Sequence, residues 1–386
     1  MIRLRKATVS EVLDERPGAV EVSVALDPTG EPPADPLGLA VAVVYPALVG
    51  PVGLGDRVLV NTTAVELGLG TGGVHFVVAV ERSDAAVRSL ADIEPAEGRT
   101  MKLRYTPHQV AVTGAEEQGS HAREAIEDDS ELAGVPVVWI PLHSMLGPAA
   151  AGARAAGASR VVYVMTDRAA LPAPLSRVAA ALRAIGLLEA VISTGQAFGG
   201  DLDTVNVFTG LLGARRALNA DVVVVGDGPG NLGTATTWGA SVLEAAMAMN
   251  AAGILGGRPV ATLRVSFVDP RQRHRPVSHH SITALSRVAL VPVHVAVPAI
   301  DDDARRRAVW TALTAARLEE RHQLVEVNGR PALDLLAQHG FEPESMGRSP
   351  ADDPEFFLGA GAAGVLAGRM ATGDRAWDEA RPRAPE

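Results

Sequence analysis

The strongest constraint on the fold is an alternation that begins at Val135. From there, short and nearly continuous apolar runs at 137–140, 160–165, 189–193, 221–226, 260–267 and 290–297 are separated by Ala-rich stretches. Asp221-Val222-Val223-Val224-Val225-Gly226 is the clearest run. A strand buried on both faces of a parallel sheet needs such continuity. The stretches near 145–157, 173–186, 202–218, 235–255 and 279–288 are long enough to be crossover helices. The pattern predicts a doubly wound, mostly parallel, Rossmann-like α/β domain over 134–386, with a helical tail from Asp301 and a last strand at 323–327.

The first hundred residues obey a different rule. Val-rich runs at 8–13, 19–26, 39–45, 57–61 and 75–80 are separated by Gly, Pro and Asp turns. Even, short spacing of this kind predicts a smaller N-terminal β-barrel or β-sandwich over 1–100. Its longest loop is Gly68-Leu69-Gly70-Thr71-Gly72-Gly73. A charge-free stretch at 36–55 has the length of a membrane span, but Pro46, Pro51 and its glycines break it into two short strands around a turn. Residues 101–133, with Glu124, Glu127, Asp128, Asp129 and Glu131, read as an acidic connector. A chain of 386 residues is long enough for two such domains.

Composition excludes several chemistries. There are no cysteines, hence no disulfides, thiolate metal sites or cysteine nucleophiles. Lys6 and Lys102 are the only lysines, so a phosphate loop of the Gly-Lys-Ser/Thr type is absent. A formal net charge of −10 argues against a nucleic-acid surface despite the short cluster Arg271, Arg273, His274 and Arg275. Arg3, Arg5 and Lys6 precede no apolar segment, so no signal peptide is read and a cytoplasmic protein without a membrane span is expected. The small-residue stretch 240–255 needs a close partner, either within the chain or in a second subunit.

Ligands of open parallel sheets bind beyond the carboxyl ends of the strands. The predicted strands are followed there by His143 and Ser144, by Thr166 and Asp167, by Thr194, Gln196 and Asp201, by Asp227, and by Asp269 with His274, His279 and His280. Gly228-Pro229-Gly230-Asn231-Leu232-Gly233, running into Thr234, has the G-x-G-x-x-G spacing after a strand and before an expected helix. Such a loop suits a phosphate or other anion, and equally suits tight packing. The acidic residue that would hold a ribose about 20 positions further on is missing. Ser278 is read as a helix cap, with His279 and His280 flanking it. Adjacent helical residues point about 100° apart, which hinders a shared metal unless the segment is a loop. Imidazole–carboxylate metal binding is chemically open here, but no recognised spacing supports it. Ser144 reads as a cap too, and no G-x-S-x-G elbow exists.

Several of these motifs occur in one combination: Asn61-Thr62-Thr63-Ala64-Val65 with the 68–73 loop, Lys102-Leu103-Arg104-Tyr105-Thr106-Pro107, Ala197-Phe198-Gly199-Gly200-Asp201, Gly228-Pro229-Gly230 with Gly233-Thr234, and Ser278-His279-His280. In that combination the chain resembles an uncharacterised bacterial domain-of-unknown-function family. The resemblance implies a bacterial protein built as one unit, and it implies no activity or cofactor. The residues themselves point to an enzyme acting on a small anionic metabolite. Asp227, Gly228, Gly230, Gly233 and Thr234 would hold the ligand, and His143, Asp201, Asp269, His279 and His280 are the acid/base candidates. A non-catalytic ligand sensor or scaffold, and a nicotinamide-dependent oxidoreductase, are the alternatives.

Overall fold

The computed structural model describes residues 2–28, 39–68, 73–82, 98–127 and 131–374. The chain divides into two compact units, Met1–Val112 and Thr113–Glu386. Most of the glycine loop at 68–73 and part of the acidic run near 128–130 lie outside the described residues.

The first unit is a closed barrel rather than a sandwich. Strands β1 (Leu4–Arg16), β2 (Ala19–Leu26), β3 (Leu39–Val44), β4 (Arg57–Asn61) and β5 (His75–Val80) close in the order β1-β2-β3-β5-β4. Alternate residues such as Val20, Val22 and Val24 fill its interior with Val9, Val44, Val58 and Val60. The charge-free stretch supplies β3 and then a single helical turn, Pro46–Val49, instead of a second strand. Proline at the first position of that turn favours the helical start. A two-stranded ribbon of β6 (Thr100–Lys102) and β7 (Val110–Val112), unforeseen in the sequence, ends this unit.

The second unit is an eight-stranded sheet of β8 (Pro136–Trp139), β9 (Val161–Thr166), β10 (Ala190–Thr194), β11 (Leu202–Thr204), β12 (Val222–Asp227), β13 (Arg258–Thr262), β14 (His294–Pro298) and β15 (Gln323–Val327). The order is β11-β10-β9-β12-β8-β13-β14-β15, and every neighbouring pair is parallel. Val137 and Trp139 feed one hydrophobic cluster, Val138 and Ile140 the other, so both faces are covered. Several boundaries differ from the expectation, and two of them change the element itself. Residues 202–204, expected in a helix, pair with β10 as an edge strand, and Asn206 then caps the helix Val207–Leu212. The run 260–267 leaves the sheet after Thr262, because the chain folds back through an antiparallel bridge of Val265 with Val277.

The expected tail is part of the core. Helix Pro354–Thr372 is buried along most of its length against helix Leu146–Ala155. The small face of 240–255 also finds its partners inside the chain: Ala246, Ala248, Ala251 and Ala252 lie in the opposite cluster. That face therefore gives no argument for self-association. The acidic segment before β8 rests on this unit. Ala122 and Ile126 are buried in its core, and the Glu116 carboxylate accepts the Val205 N–H at 2.8 Å. Among the described residues no helix is long and apolar enough to cross a membrane.

Candidate functional site

Parallel strands deliver their carboxyl ends to one edge, and three of the loops there converge. β8 lies between β12 and β13. Its following helix, Leu146–Ala155, packs on one face, while the helical segments after β12 and β13 pack on the other. The diverging helices open a crevice, which is the general ligand position in such sheets. A cleft of about 410 Å³ occupies it, lined by residues 141–144, the glycine loop 229–233, Arg264, Arg271, His274, His280 and residues 344–346.

One side of the cleft is a buried polar network. His143 Nε2 is 2.7 Å from Ser176 Oγ, and its Nδ1 is 3.3 Å from both the Tyr163 hydroxyl and the Asp227 carbonyl. Ser176 Oγ also accepts the Ala179 N–H as the cap of helix Arg177–Ala184. Both ring nitrogens of His143 are thus engaged, and burial pushes its pKa down to about 4. The Asp227 carboxylate accepts hydrogen bonds from Thr166 Oγ1 and from Asn231 Nδ2. Burial raises Asp227 to about 6, against the opposing effects of the Thr166 hydrogen bond and the Arg168 charge.

The other side is cationic and imidazole-rich. After β13 the chain doubles back, so that the Ser278 N–H reaches the Arg264 carbonyl at 2.9 Å. Asp269 is fully buried and receives Arg264 at 2.8 Å and Arg271 at 3.0 Å, with Arg348 at 3.8 Å. Burial alone would raise its pKa, but hydrogen bonds from the Arg271 side chain and main chain, and the Arg264 charge, hold it below the usual carboxylate range. Ser278 caps the helix His279–Thr283 as expected, accepting the His280 N–H, and its hydroxyl also meets His274 Nδ1 at 2.8 Å. The three imidazoles crowd together, with ring centroids 5.3, 5.3 and 4.1 Å apart. Burial lowers the pKa of each, and the charges of Arg264, Arg271 and Arg273 lower them further.

The glycine loop is built differently from the motif it matches. Residues 228–241 form an excursion before the first helical turn at Val242–Ala245, so no helix begins at Gly233. Thr234 and Thr236 hydroxyls bond to each other and to the Gly239 backbone, a local alternative that competes with helix formation. Gly230 has φ +95, and a Cβ on Gly233 would sit 2.6 Å from the His280 ring. Gly228 packs against the Ala170 carbonyl.

The fold therefore gathers His143, Asp227, Gly230, Gly233, Asp269 and His280 around one crevice, with His279 beside His280. Asp201 is elsewhere. It accepts the Val191 N–H near the start of β10 and pairs with Arg183 at 2.9 Å, toward the opposite end of the strands. The sequence reading missed Arg264 and Ser176 as parts of the site, and it gave no role to Thr166 or Asn231 although both stand in the segments it singled out. Arg264 was hidden inside an apparent strand, and its charge at the end of a Val/Leu run was the available signal.

No curated protein matches the chain. The profile of one family, described as a protein of unknown function (DUF3866), matches residues 41–364. That span leaves out the first two barrel strands but includes every residue of the crevice, and the chain belongs to the DUF3866 family.

Proposed function

We propose that the crevice binds a small anionic metabolite and that the chain is an enzyme acting on it there. The observation that carries this reading is the cleft wall of Arg264, Arg271, His274 and His280 facing the glycine loop. In a chain of net charge −10, an arginine cluster in a recess focuses a local positive potential. A volume of about 410 Å³ is within the range of small-molecule sites. His280 lines the crevice and His279 adjoins it, and these are the imidazoles left available there, since His143 is engaged at both nitrogens and Asp269 is held by arginines.

The nicotinamide reading loses support. β8 separates β12 from β13, so the glycine loop and the end of the next strand in sequence are not neighbours, and Leu263 and Arg264 stand where a ribose carboxylate would be needed.

Thermal unfolding at constant ionic strength with phosphate, pyrophosphate, mononucleotides and di- and tricarboxylates tests the proposal. At least one anion should raise the melting temperature of the wild type, and Arg271→Met should abolish that rise while the unliganded protein stays folded. If no anion stabilises the wild type, or Arg271→Met responds equally, the reading is wrong.

A further inference from the structure

Three imidazoles meet at the cleft, and one ring nitrogen from each of His274, His279 and His280 lies within 4.8 Å of those of the other two. His274 and His280 are buried, with relative exposures of 1% and 7%. The Nε2 atoms of His279 and His280 are buried with no hydrogen-bond partner among the described residues. Buried polar atoms are almost always paired, so two orphan nitrogens side by side require a reason. A metal ion is one, because a neutral imidazole nitrogen is its commonest protein ligand.

We propose that His274, His279 and His280 form a site for a divalent transition metal of the zinc class, with its remaining coordination position open to the cleft. The donor set favours zinc or its neighbours over magnesium or calcium, which prefer oxygen. In a tetrahedral site with Zn–N distances of about 2.1 Å, ligand nitrogens lie roughly 3.4 Å apart, so the rings must close by up to roughly 1.4 Å. Two of the three rings already have an outer partner. The Ser278 hydroxyl can accept the Nδ1–H of His274, which leaves that ring's lone pair on Nε2. His280 has a main-chain hydrogen bond at Thr234. The charges around the cluster are Arg264, Arg271 and Arg273, with Asp269 as the offsetting carboxylate.

Those charges decide what the fourth ligand is. Asp269 is fully buried and held by Arg264 and Arg271, so it is not free to complete the sphere. Three neutral imidazoles leave the dication uncompensated beside arginines. The open position therefore selects an anionic oxygen, hydroxide or the phosphate or carboxylate oxygen of a ligand. Sites with three protein ligands and an open position are of the catalytic kind. This inference deepens the proposed anion site, but its metal arm stands by itself.

The full chain is stripped with a chelator and titrated with Zn²⁺ and Co²⁺, reading stoichiometry by elemental analysis and geometry by the visible spectrum of cobalt. One equivalent per chain and a four-coordinate cobalt spectrum are expected. Ser278→Ala should weaken binding about 10–100-fold, and His279→Ala or the milder His279→Asn should weaken it more. Circular dichroism in chelator confirms that each variant is folded. Absence of stoichiometric metal, or unchanged affinity in the folded His279 variants, overturns the metal site. Anion stabilisation of the metal-free wild type, lost in Arg271→Met, is read separately. It persists if only the metal inference fails, and it vanishes while metal binding remains if only the anion reading fails.

Discussion

Asp227 and Asp269 are both buried carboxylates at strand ends, yet their surroundings drive them in opposite directions. Asp227 has hydroxyl and amide donors but, among the described residues, no guanidinium bonded to it, and its pKa rises from 3.8 to about 6. The folded state then holds its proton more tightly than the unfolded chain. The contribution is intact below the unfolded value of 3.8 and is lost as pH climbs to about 6, a gap worth roughly 3 kcal/mol. Asp227→Asn cannot ionise, so its stability relative to the wild type should grow by up to ~3 kcal/mol between roughly pH 4 and 7. Urea unfolding at both pH values checks this, and a pH-independent difference refutes it. Asp269 instead balances Arg264, whose side chain is only 6% exposed. Asp269→Asn strands that charge and should cost about 3–5 kcal/mol. Asp201→Asn, at a half-exposed pair with Arg183, should cost about 1 kcal/mol or less and leave ligand binding untouched. Equal losses for the two substitutions would show that the arginine cage is not structurally significant.

At the scale of elements, the tightest contact is between helices Leu146–Ala155 and Pro354–Thr372. Small residues let the two backbones approach. A Cβ on Gly364 would sit 2.0 Å from the Ala149 carbonyl oxygen, one on Gly368 2.5 Å from that of Ala153, and one on Gly152 2.4 Å from that of Gly361. Backbone cannot yield as a side chain can, so the helices must separate to admit a methyl group. Gly364→Ala should lower stability by about 1–3 kcal/mol in spite of its better helix propensity. A variant as stable as the wild type in urea would mean that the helices do not pack this closely. The consequence reaches the crevice, because helix Leu146–Ala155 directly follows the 141–144 segment that lines it.

At the scale of the molecule, the two units have separate hydrophobic clusters. Among the described residues ten buried side chains fill the barrel, and two larger clusters cover the faces of the sheet. All residues of the crevice belong to the second unit. A chain beginning at Thr113 should therefore unfold cooperatively and keep the metal and anion responses of the full protein. A non-cooperative melt, or loss of both responses in a folded fragment, would show that the first unit is needed for the second.

Period and run length in the sequence were enough for the parallel sheet, its helices and the small β domain, because buried strands and amphipathic barrel strands leave local signatures. They also pointed to one edge of the sheet for a candidate site, since strand direction fixes where carboxyl ends emerge. Strand order was not legible. The position of β8 between β12 and β13 is set by packing across the whole sheet, and it decides which strand ends share the crevice and which, like Asp201, lie away from it. The imidazole cluster was hidden for a related reason. Helical geometry turns adjacent histidines apart, and only the fold-back of 263–278, pinned by Val265 against Val277, brings His274 over the capped turn that carries His279 and His280.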